Sequence, residues 1–238
     1  MPSITNISEN LITSVAIAGT STNTSATSPG TMADDATVGT LVWTNPNNAM
    51  ASDDADAIVS SGFGGTSHYL KATNFGFSIP TGATIDGILV EIEQDDQNTN
   101  VIENSIKIVK GGTISGDEKS TGAAIPNADA YVSYGSSSDL WGLSWTAEDI
   151  NLSTFGVVFS IVLQNAFGGT RVDHIRITVY YTTAGTPATF VNLGMTDITV
   201  DEATMTVDEA LRPVDALGVP VTKASKNNKS LTNMAENL

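Results

Sequence analysis

From residue 37 to residue 183, short apolar runs alternate with glycine, proline and asparagine, a punctuation that predicts strands joined by turns. Over residues 84–94, Ile88, Val90 and Ile92 alternate with Leu89, Glu91 and Glu93, the signature of a strand with one buried and one wet face. Residues 102–109 set Ile102, Asn104, Ile106 and Ile108 against Glu103, Ser105, Lys107 and Val109, and Asn104 alone departs from an apolar face. The polar stretch 95–100 between them predicts a hairpin loop. Residues 155–163 are apolar almost throughout, as in a central strand covered on both faces. Over 172–181, Asp173, Ile175, Ile177, Val179 and Tyr181 form the set expected to face the core. Shorter strands are expected at 40–44, ending at the turn Asn45-Pro46-Asn47-Asn48, and at 68–77, ending at Pro80-Thr81-Gly82. Thr146-Ala147-Glu148-Asp149 has the hydroxyl and the acid of a capping box and predicts one short helical turn.

The flanks have another texture. Residues 1–36 are rich in Ser, Thr, Asn and Ala, with little periodicity beyond 4–15, and read as an extended arm with room for one strand. Residues 184–238 follow the break Gly185-Thr186-Pro187 and hold a short repeat, Thr199-Val200-Asp201-Glu202-Ala203 and Thr206-Val207-Asp208-Glu209-Ala210. Pro213 and Pro220 exclude a long helix there, because proline lacks the donor and clashes with the preceding turn. The expected fold is therefore all-β: an antiparallel two-sheet sandwich of jelly-roll type over 37–183, with extended arms at 1–36 and 184–238. A closed barrel stays open as an alternative, because a pattern of strands does not report closure.

Composition narrows the function. The 238 residues carry 26 Asp+Glu against 10 Lys+Arg, a formal charge of −16. That balance argues against nucleic acid, which is held by clustered cations, and against anionic membranes. There is no cysteine, so disulfides and thiol chemistry are excluded, and only His68 and His174 are available as imidazole bases. No apolar run reaches the length of a membrane span, and no basic start marks a signal peptide. Lys223, Lys226 and Lys229 sit close together near the C-terminus, whereas residues 1–70 contain no Lys or Arg. This contrast suggests an assembly arm docking on an acidic neighbour.

Few constellations suggest chemistry. Asp53, Asp54 and Asp56 are a weak calcium candidate, since a hard cation wants several carboxylate oxygens, but the EF-hand glycine and distal glutamate are missing. His174 beside Asp173 lacks a Gly-x-Ser-x-Gly elbow. Glu91 and Glu93 read as ordinary acids on a wet face, and Gly62-Phe63-Gly64-Gly65 is not a phosphate loop. Tyr131, Tyr134, Trp141 and Trp145 flank Gly135-Ser136-Ser137-Ser138; aromatics beside hydroxyls can stack on sugars, so these four are the glycan-contact candidates. No catalytic set and no cofactor site is expected.

One resemblance extends this reading. The carrying residues are Trp43-Thr44-Asn45-Pro46-Asn47-Asn48-Ala49, then Ser52-Asp53-Asp54 and Ala57, then Leu70, Phe75-Gly76-Phe77-Ser78-Ile79-Pro80-Thr81-Gly82-Ala83-Thr84-Ile85 and Gly87-Ile88. They continue with Trp141-Gly142, Trp145, Phe155-Gly156-Val157 and the run from Val172 to Tyr181. In this order they resemble a jelly-roll-like β-sandwich domain of tailed-bacteriophage structural proteins. The resemblance implies a non-enzymatic virion component assembled in the host cytoplasm, its partners being other virion proteins and copies of itself. It points first to a head decoration, cement or head-fibre protein, and second to a tail or tail-fibre component whose sandwich binds a cell-surface glycan.

Overall fold

The alternating segments close into two antiparallel sheets packed face to face. The computed structural model describes residues 18–96, 100–164 and 168–185. Its strands are β1 (Thr20–Asn23), β2 (Thr31–Asp35), β3 (Ala57–Ser61), β4 (Gly65–Thr66), β5 (Tyr69–Thr73), β6 (Thr84–Asp96), β7 (Val101–Lys110), β8 (Thr113–Ser115) and β9 (Ala130–Ser136). The short helix α1 (Ala147–Asn151), β10 (Gly156–Leu163) and β11 (Gly168–Thr183) complete the unit, which runs from Gly19 to Ala184. The first sheet has the order β1-β11-β6-β9, with β3 beside β1 on the same edge of β11. The second has the order β2-β5-β10-β7-β8, with β4 also paired to β10.

The core lies between the sheets. Ile88, Val90 and Ile92 of β6 and Ile175, Ile177 and Val179 of β11 face Ile106 and Ile108 of β7 and Val157, Phe159 and Ile161 of β10. All eleven are removed from solvent. Each such side chain stabilises the fold by about 1.5–3 kcal/mol relative to an exposed one. Aromatic rings close one end: Phe75 and Phe77 stack at 5.8 Å, and Phe155 meets Phe77 edge-on at 5.9 Å and Trp145 at 5.5 Å. The expectation of a central strand at 155–163 holds, since β10 is flanked by β5 and β4 on one side and β7 on the other. The capping box also forms: Thr146 Oγ1 accepts from Asp149 N at 3.1 Å, and Asp149 Oδ2 accepts from Thr146 N at 3.0 Å.

Three register shifts correct the simple alternation, one of them on β6, where Asp86 is skipped between Tyr180↔Gly87 and Tyr181↔Ile85. Along β7 the partner register jumps from Ser160↔Ser105 to Ile161↔Glu103, so Asn104 is the extra residue. Beyond it the faces exchange, and Glu103 rather than Ile102 is buried. On β11 the register skips between Val172 and His174, so both Val172 and Ile175 face the core and Asp173 is the extra residue.

Other expectations shift as well. Residues 40–44 are not a strand; they touch the sheets through single bridges, Leu41↔Ser67 and Thr44↔Ile58. The strand expected at 68–77 ends at Thr73, because Asn74 and Gly76 adopt positive φ. Asp95 and Asp96 extend β6 instead of starting the loop. The N-terminal boundary moves too: β1 and β2 belong to the sheets, so only residues before Gly19 lie outside the unit.

One glycine is sterically required. A Cβ on Gly135, where φ is +78°, would lie 2.3 Å from Ile88 O and 2.8 Å from Trp141 Nε1. That contact is where the buried indole donates to Ile88 O at 3.0 Å.

Phe155→Ala should lower the unfolding free energy by about 3–5 kcal/mol, measured by chemical denaturation, because a cavity opens among the three remaining rings, Phe75, Phe77 and Trp145. A loss below about 1 kcal/mol would mean that the cluster collapses freely around the gap.

Candidate functional site

The outer face of the first sheet gathers the polar chemistry. β6 turns Glu91, Glu93 and Asp95 outward, and β11 places Arg176, His174 and Arg171 opposite them in register. Arg176 grips Glu91 through two bonds, Nε–Oε2 at 2.8 Å and Nη2–Oε1 at 3.0 Å. Arg171 does the same to Asp95 at 3.0 and 2.8 Å and reaches Asp56 at 3.5 Å. The guanidinium of Arg176 also lies 3.8 Å above the Tyr131 ring. These paired forks hold both arginines more firmly protonated than usual, with the carboxylate hydrogen bonds as the leading cause.

The bulge at Asp173 turns its carboxylate toward the 50–56 segment, where Oδ1 accepts from Asp53 N at 3.3 Å. Burial, reinforced by the negative charges of Glu93 and Asp53, raises the Asp173 pKa despite the backbone donors of Asp53 and Asp54. Burial is also the first cause of the raised pKa of Asp56 and Asp129. Oxygens of Asp54, Asp129 and Asp173 lie within 4.8 Å of one another, a spacing that a hard cation can bridge. Asp54, Asp56, Asp95, Asp129 and Arg171 line a shallow polar pocket here. The sequence trio Asp53, Asp54 and Asp56 is therefore split. Asp54 joins two distant carboxylates, Asp53 caps Ala55 N at 3.2 Å, and Asp56 pairs with Arg171.

His174 sits beside this pocket and ties three segments together. Its Nε2 meets Ser28 Oγ at 2.8 Å, and its Nδ1 meets the Tyr131 hydroxyl at 2.8 Å. Met50 bridges its backbone. Asp173, its neighbour in sequence, is drawn away by the bulge and does not orient the ring. Burial lowers the His174 pKa, with Arg176 adding to the effect, and the nearby Glu93 charge opposes it. Burial also raises the Tyr131 hydroxyl. His68, by contrast, is a packing clamp: its Nδ1 meets Asp34 Oδ2 at 2.7 Å while its carbonyl accepts from Trp43 Nε1 at 2.9 Å.

The four glycan-contact candidates do not form a stacking platform. Tyr131 and Tyr134 are three positions apart on β9, so the pleat sends them to opposite faces. Tyr134 enters the core, donates to Glu103 Oε1 at 2.8 Å and accepts from Gln94 Nε2 at 3.0 Å. Burial and then the Glu103 charge raise its pKa far above that of a free phenol. Trp141 is fully buried, at φ 58°, and Trp145 packs on Phe155 under Lys110, whose Nζ is 5.0 Å from the ring. Tyr131 is capped by Arg176. Among the described residues the fully presented aromatic is instead Phe63, 98% exposed at the tip between β3 and β4. Its flanking glycines are the signal in the sequence that marks this tip. Lys223, Lys226 and Lys229 lie outside the described residues.

No protein-family profile matches the chain, and no curated protein matches it. A solved structure described as "CBM4 structure and function" is similar at 13% sequence identity, covering 64% of this chain and 94% of that one, with a TM-score of 0.29.

The lowered His174 pKa gives a pH signature. The folded state favours the neutral ring, so this contribution to stability is complete above the unfolded value of 6.5 and is lost as pH falls through the lower folded value. His174→Gln cannot titrate. The excess melting temperature of the natural chain over this variant should therefore shrink from pH 8 to pH 5 in thermal scans. A constant or widening gap would show that the ring takes up its proton without penalty.

Proposed function

We propose that the protein is a structural subunit of a bacteriophage virion, a head decoration, cement or head-fibre component that works through contacts between subunits. The observation that carries this reading is where the chain enters and leaves the sandwich. Thr20 pairs with Thr183 and Ser21 with Thr182, whose side-chain oxygens lie 2.8 Å apart. The described chain therefore enters at Thr20 and leaves at Thr183 side by side, at one end of the first sheet. β11 runs sixteen residues from that end to the opposite pole, where Gly168 pairs with Ser61 just before the Phe63 tip. A body whose chain enters and leaves at one pole, with the other pole displayed, suits a subunit of a larger assembly.

The site chemistry supports the same reading. Trp43, Phe75, Phe77, Trp141 and Phe155, which carry the resemblance to phage structural domains, are all packing residues. The ionic groups of the outer face are largely spent on one another, as interlocking pairs that fix a surface. Copies of itself and other virion proteins are the partners this reading names.

Light scattering of the full chain and of a chain ending at Ala184 tests the role of the C-terminal residues. The full chain should be oligomeric, and the shortened one should lose mass per particle. Equal monomer mass for both at every concentration would overturn self-assembly. Mass spectrometry of virus particles purified on a density gradient from the protein's source should find the chain in the particle band. Its confinement to the soluble fraction would remove the virion assignment.

A further inference from the structure

The edge of β11 between Ile177 and Thr183 is occupied by a strand held in an unusual way. β1 pairs there over Thr20–Asn23, and the contact continues through Thr24 N to Val179 O at 2.9 Å, Val179 N to Thr24 Oγ1 at 3.0 Å, and the two-way bridge between Thr27 and Ile177. Every side chain of β1 is exposed, and from Gly19 to Ser28 no residue is buried. This strand contributes backbone and hydroxyl hydrogen bonds but no apolar surface. The next buried side chains are Pro29 and then Met32 of β2. The hydrophobic core thus begins beyond a short polar stretch that can act as a hinge.

The energetic consequence is asymmetric. Releasing β1 exposes no core and exchanges its hydrogen bonds for water, so this edge belongs to the low-stability part of the fold. Once released, β11 presents an unpaired row of N–H and C=O groups whose length and register match one strand, the same segment of another copy. Exchange of an identical element between protomers conserves every bond that was given up.

We infer that the β11 edge is an exchange site, in which the segment Thr20–Thr27 of one copy pairs with Ile177–Thr183 of a second copy. This deepens the assembly reading above and rests on it. The partner is a second copy of this chain, since Ser21 and Thr182 already present matched hydroxyls and Thr24 supplies both a donor and an acceptor to Val179. The close approach of Gly19 fits the same register: a Cβ there would stand 2.3 Å from Thr183 O.

The natural chain has no cysteine, which makes the test direct. Full-length chains carrying Ser21→Cys alone and Thr182→Cys alone, with different tags, are co-expressed, sized by light scattering, oxidised and run on a non-reducing denaturing gel. A disulfide-linked pair bearing both tags, in clear excess over same-tag pairs, is expected, because β1 crossing between copies holds these two thiols side by side, whereas random collision of exposed thiols gives same-tag pairs as readily. The double variant S21C/T182C serves as the geometric control. If the mixture is oligomeric, the double variant closes within one chain and mixed pairs show no excess over same-tag pairs, exchange is overturned while assembly stands. If all chains are monomeric and unlinked, the assembly reading fails and exchange fails with it. Gly19→Val offers a second measurement that leaves the core untouched. It should lower the oligomer mass by blocking the start of the β1 pairing, and an unchanged mass would count against exchange.

Discussion

The ladder between β6 and β11 is the constraint on which the molecule depends. It runs from Thr84↔Thr182 to Asp96↔Thr170 and is the longest pairing in the fold. Its inner face supplies one wall of the core, and its outer face supplies the arginine–carboxylate forks. Its register decides both at once, since a one-residue slip would send isoleucines to water and charges inward. The bulge at Asp173 refines this by one residue. It lets Val172 and Ile175 both point inward and aims a carboxylate sideways, where loops from elsewhere in the chain can meet it.

The charge distribution follows from the same ladder. Among the described residues, carboxylates crowd at one end of the outer face. Arg171 and Arg176 each neutralise a cross-strand acid with good two-pronged geometry, while Asp56, Asp129 and Asp173 are left with raised pKa values. Elsewhere, hydrogen bonds and lysines act the other way. At Asp35, Asp139 and Asp149 burial favours the proton, yet donors from Thr37, Trp141 and Thr146 and the lysine contacts outweigh it and lower the pKa. Acid therefore relieves one region of the surface and loosens another.

What the sequence disclosed follows the same division between local and non-local causes. β6, β10 and much of β11 were legible because alternation and apolar runs are set within a few residues. The bulges were not, because an extra residue changes phase only relative to a partner strand, although Asn104 already marked the place. β1 was invisible to hydrophobic patterning because all of its side chains face water. Residues 40–44 misled for the opposite reason: they are apolar, yet Val42 remains 59% exposed and the backbone makes only bridges. At the candidate site, the cluster of Asp53, Asp54 and Asp56 was readable as a cluster. Its true companions, Asp129 and Asp173, lie far along the chain. The aromatic platform failed on strand parity, which places Tyr131 outside and Tyr134 inside.

The meeting of Thr20 and Thr183 bears on ancestry as well as assembly. A unit whose entry and exit strands lie side by side can be spliced into a surface turn of an unrelated polypeptide without stretching either host or guest. Such geometry makes the sandwich a portable cassette, free to be duplicated, permuted or fused while its interior stays unchanged. A scaffold of this kind can recur across proteins that share little outside it, with the flanking chain carrying what is particular to each.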